Sequence, residues 1–271
     1  MDAGSHRALT IDQFTKQAVP FANVPGHSSS LDALTTLSDP AHSEEVLDIA
    51  CGPGIVACHF APLVAHITGI DMTPEVIRQA EAVQVARSLT NMTWQVASAE
   101  PLPFTDHSFS LVVTRYSFHH FQHPDRVLAE MLRVCTPGGR ILIADVAQPD
   151  DKVAGYDEIE RLRDPSHVHA FSRTEFANLF ASPMMEHVRF AEYKVEMSLE
   201  SQLAASFPVP GGADRIRNLL REDVGIDRCG VSAHWVEGEL HYDVPIVVGA
   251  ATKRGQWLWQ FTFRRIGTDK A

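Results

Sequence analysis

The sequence predicts an α/β fold built on a doubly wound, mostly parallel sheet with helices on both faces. Three observations carry this. Val46, Leu47 and Ile49 form a short apolar run closing on small residues, which reads as a strand buried on both faces. Cys51-Gly52-Pro53-Gly54 then turns the chain tightly into an apolar helix that begins at Ile55. From there to residue 146, segments of strand and helix character alternate, as they do when crossover helices connect parallel strands.

The elements follow in order. Before the first strand, residues 1–43 form an arm: a helix over 11–19 with Phe14 and Val19 on one side, a loop over 20–30, and a segment at 31–37 packing the first strand. Such an arm either covers a ligand pocket or serves as packing. Residues 66–71 give a second strand closing on Asp71, and Thr73 as N-cap with Pro74 in the first helical position opens a helix over 74–87. A third strand spans 92–97 and a fourth 111–116. In the helix over 124–136, Val127, Leu128, Met131, Leu132 and Cys135 share one stripe. Pro137-Gly138-Gly139 ends it, and a fifth strand over 140–146 carries Asp145. After residue 148 the alternation changes. A charged helix over 150–164, a connector over 165–172 and a helix over 173–181 precede a sixth strand at 188–197. Residues 199–239 read as a helical insertion broken at Pro208, Pro210 and Gly211-Gly212. A last strand occupies 244–252, and 256–264 alternates as an extra strand would.

The 271 residues make one large α/β domain, or one such domain with an insertion. A formal net charge of −11 without a long basic run argues against a nucleic-acid partner. No apolar run approaches the roughly 18 residues of a membrane span, and no segment has the form of a signal peptide, so the expectation is a cytoplasmic protein without a membrane partner. Cys51, Cys58, Cys135 and Cys229 lack metal-type spacing and read as reduced thiols.

Function should sit on the glycine turn, where a ligand can approach bare backbone. Gly52-x-Gly54-x-x-Ala57, with Asp71 about twenty positions on, also fits the dinucleotide fingerprint. Asp48, four residues before the first glycine, and the stiff Pro53 point elsewhere. A carboxylate beside the turn suits a ligand bearing cations, and S-adenosylmethionine carries both an α-amino and a sulfonium group. The competing reading of Asp48 is a turn cap. Asp71, at the carboxyl edge of the sheet, can accept both ribose hydroxyls, with Met72 against the adenine.

Four ordered segments, VLDIACGPG, GIDMTPEVI, SAEPLPF and RVCTPGGRILIADV, together resemble class I S-adenosylmethionine-dependent methyltransferases over about residues 44–147. The resemblance is to the small-molecule branch, which includes the ubiquinone/menaquinone C-methyltransferases and natural-product O- and N-methyltransferases. It implies a Rossmann-like seven-stranded sheet whose seventh strand, here 244–252 with 188–197 beside it, runs antiparallel. It assigns Asp48, Ala50, Gly52 and Gly54 to the methionine side of S-adenosylmethionine, and Asp71 and Met72 to its ribose and adenine. Ser98-Ala99-Glu100 stands where the family has Asp-Ala-Glu, so Ser98 is the weaker acceptor for the adenine amino group. Arg115 ends the fourth strand, where the backbone meets the amino-acid end. The implied organisation is an N-terminal helical arm or lid over 1–43 and a core over 44–271, with acceptor-cap insertions at 148–171 and 199–240.

Methyl transfer to a small-molecule acceptor needs alignment, exclusion of water and, for a hydroxyl, a base. His119 and His120, just past the fourth strand, and Asp145, on the neighbouring fifth, supply one: a carboxylate beside an imidazole fixes its tautomer and raises its basicity. Sugar O-methyltransferases of the rebeccamycin type are similar here. The expected activity is therefore O-methylation, with His119 as base and Asp145 orienting it. The alternatives are C- or N-methylation, with the histidines only shaping the pocket, a non-methylating cyclase or binding protein on the same fold, and a nicotinamide oxidoreductase. His167 and His169 near Asp164 form too sparse a set for a metal, and none is expected; the rival reading is a lid loop touching substrate. Trp235, Trp257, Trp259 and Phe207 are read as core or as the wall of an apolar acceptor site. The sequence leaves the acceptor, the methylated atom and the oligomeric state open.

Overall fold

The structure, a computed structural model, describes residues 3–22 and 30–255. Strands β1 (Glu45–Ile49), β2 (His66–Asp71), β3 (Met92–Val96), β4 (Phe109–Arg115) and β5 (Cys135–Gln148) are parallel. A two-residue β6 (Phe171–Ser172) pairs with the end of β5. Strands β7 (Met185–Ser198), β8 (His234–Val236) and β9 (Glu239–Lys253) complete the sheet. Its main path runs β3-β2-β1-β4-β5-β9-β7, with β9 antiparallel to both neighbours. The expected antiparallel last strand is therefore present, and β6 and β8 add two short strands to the expected seven.

Adjacent residues of the inner strands point to opposite faces, so their unbroken apolar runs feed two cores at once. Leu47, Val112 and Ile141 belong to one core, under α5 (Pro124–Val134) and α7 (Arg173–Leu179). Val46, Leu111 and Leu142 belong to the other, with α2 (Leu31–Ser38) and α3 (Ile55–Phe60). Helix α4 (Pro74–Ala86) follows β2. Thr73 is its N-cap and Pro74 its first residue as expected, although the Thr73 hydroxyl makes no capping bond.

A third core lies beyond the carboxyl edge of the sheet. The last β5–β9 pair is Val146 with Ile246, yet β9 and β7 stay paired as far as Ser198 and His241. This overhanging ribbon carries α6 (Val153–Arg163), α8 (Leu199–Ala204) and α9 (Gly212–Asp223). Helix α6 falls within residues 148–171, and α8 and α9 within 199–240.

Helix α1 (Ala3–Ala22) is longer than expected and includes Pro20, within the span assigned to a loop. The reason is its polar inner stripe. Thr10, Gln13 and Gln17, at helical spacing, are all buried, so the face turned inward lacks an apolar signature. Helix α2 packs Leu34 and Leu37 onto the core beside Val46, as expected of the 31–37 segment. Residues 256–264, with Trp257 and Trp259, lie outside the described residues. Among the described residues, no helix is long and apolar enough to cross a membrane.

Candidate active site

The glycine turn is tied to β2 from both sides. Cys51 N–H donates to Ile70 O at 2.9 Å, and Gly52 N–H to Asp71 Oδ2 at 3.2 Å. Asp71 Oδ1 accepts from Thr73 N–H at 2.9 Å. Gly54, the N-cap of α3, has φ +81, and a Cβ there would stand 2.7 Å from the Trp94 ring. The turn therefore needs glycine at that point for both backbone and space.

Asp48 is 1% exposed, and its Oδ2 has no partner among the described residues. Burial pushes its pKa up to about 8, only partly offset by the Ala57 N–H. The buried Oδ2 without a partner suits a cation, while the same carboxyl takes the Ala57 N–H in the first turn of α3 as a cap would. Burial also raises Asp71, whose charged form is held by the Thr73 and Gly52 N–H groups. Ser98 Oγ donates to Glu100 O at 2.9 Å and accepts from Glu100 N–H at 3.2 Å, so its hydroxyl proton is already engaged. The Arg115 guanidinium lies over the Tyr116 ring, 4.0 Å from its centroid, and donates to Tyr116 Oη at 2.8 Å.

Past β4, a short 3-10 turn (Phe118–His120) presents two imidazoles differently. His119 Nδ1 lies 2.5 Å from Asp145 Oδ1. Asp145 is fully buried and also accepts N–H groups from Phe118, His119 and Val146. Burial disfavours the imidazolium of His119, but the carboxylate outweighs it and the net pKa is raised; Asp145 is lowered in turn. His120 turns away. Its Nδ1 meets Ser166 O at 3.1 Å, its ring stacks edge-on with Phe14 at 5.1 Å, and burial beside His119 holds it neutral.

These residues face one cavity of about 420 Å³. It brings together Asp48, Ala50, Gly52, Asp71, Met72, Ser98, Ala99, Glu100 and Arg115 with His119, His120 and Asp145. Gly54 is outside the lining and shapes the turn. The far end is closed by groups that the sequence reading missed. Tyr156, Glu160 and Arg163 stand at i, i+4 and i+7 of α6, on one helical face, with Asp164 beside them. From α1 come Thr10, Phe14 and Gln17, and Gln17 Nε2 donates to Asp164 Oδ2 at 2.9 Å. Gln202 of α8 and Tyr242 of β9 complete this end. The polar residues at helical spacing in 156–164 were a visible signal, but one that a solvated face would also give.

Known proteins fit this geometry. Residues 47–143 match the family model described as a methyltransferase domain. The chain is similar to the uncharacterised methyltransferase YcgJ of Bacillus subtilis, at 33% identity over 179 residues, 65% of this chain and 69% of that protein. The chain belongs to the methyltransferase family. The methyltransferase is also similar to the ubiquinone/menaquinone biosynthesis C-methyltransferase UbiE of Pseudomonas putida, at 28% identity over 71% of this chain and 74% of that one. The crystal structure of Bacillus subtilis YcgJ superposes with a TM-score of 0.76 at 25% identity, covering 84% of this chain and 99% of that chain.

One sequence reading of the methyltransferase needs correction. Trp235 is 51% exposed and Phe207 40%, so neither is core or cavity wall. The His167 and His169 rings turn to Asp157: His167 Nε2 lies 2.7 Å from Asp157 Oδ1, and His169 Nδ1 3.2 Å from Asp157 Oδ2. Arg161 also reaches that carboxylate, at 2.7 Å. The segment 164–169 is a hydrogen-bonded strut that places the Asp164 and Ser166 contacts against α1 and His120.

Proposed function

We propose that this methyltransferase binds S-adenosylmethionine over the glycine turn and methylates a hydroxyl oxygen of a small molecule. The observation that carries the reading is the His119–Asp145 pair in the same cavity as Asp48, whose Oδ2 has no partner among the described residues.

When bound, S-adenosylmethionine supplies a methyl carbon on a sulfonium, open to in-line displacement. The residues suit it. Asp48 offers negative charge for the methionine end, with Ala50, Gly52 and the Arg115 backbone along the turn. Asp71 has a carboxylate for the ribose, and Met72, Ala99 and Ser98 border the adenine side. Glu100 lies at the rim, held by Arg126 at 3.2 Å.

With Nδ1 bound to Asp145, neutral His119 keeps Nε2 as the acceptor facing the cavity, free to take a hydroxyl proton. His120 supports the ring beside it, with centroids 4.3 Å apart. Water is excluded by α1, the described helix of the 1–43 arm that lines the cavity, and by the insertions at 148–171 and 199–240, which act as the acceptor cap. The four buried free cysteines suit a reducing, cytoplasmic setting.

Similarity to UbiE favours carbon methylation as the second reading. The test is to supply S-adenosylmethionine labelled with ¹³C in its methyl group together with hydroxylated acceptors. The label should appear as a methoxy carbon. Label on carbon or nitrogen contradicts the reading.

A further inference from the structure

The geometry points to an uncharged acceptor, with a second oxygen function beside the reacting hydroxyl held by the phenol groups of Tyr156 and Tyr242. This rests on the hydroxyl reading above. Both tyrosines are only 6% exposed, and both line the cavity beyond His119. Among the described residues neither phenol oxygen forms a hydrogen bond, and neither is sealed from the cavity. A buried phenol O–H ordinarily has a partner, so two of them at one end of a cavity mark where polar ligand atoms sit.

Their placement fits a molecule reaching from His119. The Tyr156 ring lies 6.4 Å from His167, which lies 5.6 Å from His119. Tyr242 is in register with Met197 on the overhanging ribbon. Val146, Val195, Val244 and Ile246 give that ribbon an apolar floor, suited to the face of a ring. Gln202, 5% exposed, adds an Oε1 without a partner among the described residues.

Charge sets the class. Asp145, Glu160 and Asp164 line the cavity with Arg163 among them, while Arg7 and Arg115 line it too and Arg115 donates to Tyr116 and Tyr193. All three guanidinium nitrogens of Arg163 have protein partners: Nε and Nη2 face Glu160, and Nη1 meets Ser206 Oγ at 3.2 Å. A carboxylate or phosphate on the acceptor would meet the negative charge of Asp145 and Asp164, with the Arg163 charge already paired to Glu160. An uncharged polar oxygen can accept from the two phenol O–H groups instead.

The test uses the full chain and follows S-adenosylhomocysteine release with three matched sets of acceptors. The first is neutral: catechol, hydroquinone and hydroxyacetophenone. The second carries carboxylate or phosphate on the same rings, and the third carries an amine. We expect kcat/KM for the neutral set to exceed the anionic set by about tenfold or more. In Tyr156→Phe and Tyr242→Phe, KM for the best neutral acceptor should rise about five- to tenfold, as loss of one hydrogen bond implies. Kd for that acceptor on protein loaded with S-adenosylhomocysteine should rise in parallel, with kcat and S-adenosylhomocysteine affinity unchanged. Preference for anionic or amine acceptors, or an unmoved KM in both variants, overturns the proposal. Methylation away from oxygen overturns the underlying function instead. Silence in every set, with S-adenosylhomocysteine still bound, counts against methyl transfer itself and so against both.

Discussion

His119 Nδ1 and Asp145 Oδ1 are 2.5 Å apart, and the same carboxylate accepts the Phe118 and Val146 N–H groups, each at 2.7 Å. The backbone thus fixes the carboxylate before the imidazole meets it. The raised His119 pKa means that part of the population is protonated near neutrality and idle as a base. Turnover should rise with pH through that titration, above the ordinary imidazole value, and then level off. Asp145→Asn removes the charge that favours imidazolium, so its rising limb should move to lower pH and its plateau should fall about 10- to 1,000-fold. A pH–rate profile of both proteins checks this.

The same pair bears on stability. His119, with a raised folded pKa, contributes fully below its ordinary value of about 6.5, and the contribution is lost as pH rises through the folded value. Asp145, with a lowered pKa, contributes above about 3.9, and this is lost as pH falls through its folded value. The melting-temperature gap between wild type and Asp145→Asn should be widest between about pH 4 and 6.5. Thermal scans across pH read it directly.

Asp48 has the opposite sign. Its carboxyl, raised to about 8 by burial, stays protonated in the folded chain while the unfolded chain ionises, so the protein loses stability as pH climbs from the ordinary carboxyl range towards 8. In Asp48→Asn that decline should vanish, making the variant's relative melting temperature higher at pH 8 than at pH 5. S-adenosylmethionine binding should weaken in the variant, and the proton released on binding at pH 7 should disappear, as calorimetry in buffers of different ionisation enthalpy would show.

Two turn glycines separate fold from site. A Cβ at Gly54 would meet Trp94 at 2.7 Å and Ala80 at 3.2 Å, so Gly54→Ala should cost about 2–4 kcal/mol of stability. A Cβ at Gly52 meets nothing within 4 Å, so Gly52→Ala should cost only the backbone strain, about 1 kcal/mol. Yet Gly52 lines the cavity, and its variant should lose S-adenosylhomocysteine affinity out of proportion to its stability. Denaturant titrations alongside calorimetry check both.

The fold and the turn were legible because they rest on short-range pattern. The apolar run ending at Ile49, the glycine turn and the acid closing β2 fall within residues 46–71, and each follows from local backbone geometry. The acceptor end was not. Gln17, Tyr156, Gln202 and Tyr242 converge from α1, α6, α8 and β9, and polar residues that meet only in the folded chain look in sequence like solvated surface. Trp235 shows the converse, a large aromatic that suggested a wall and lies in solvent.

The link between α1 and the cap can be tested at Gln17, whose amide reaches Asp164 at 2.9 Å. Gln17→Ala should raise KM for the acceptor several-fold and speed hydrogen exchange in α1, while the melting temperature of the sheet core stays near wild type.

The most direct measurement is the turnover of His119→Ala at saturating S-adenosylmethionine and acceptor, with S-adenosylhomocysteine affinity measured in parallel. A base at Nε2 predicts a fall in kcat of about 10²- to 10⁴-fold with affinity unchanged. A kcat equal to that of the wild type would contradict it.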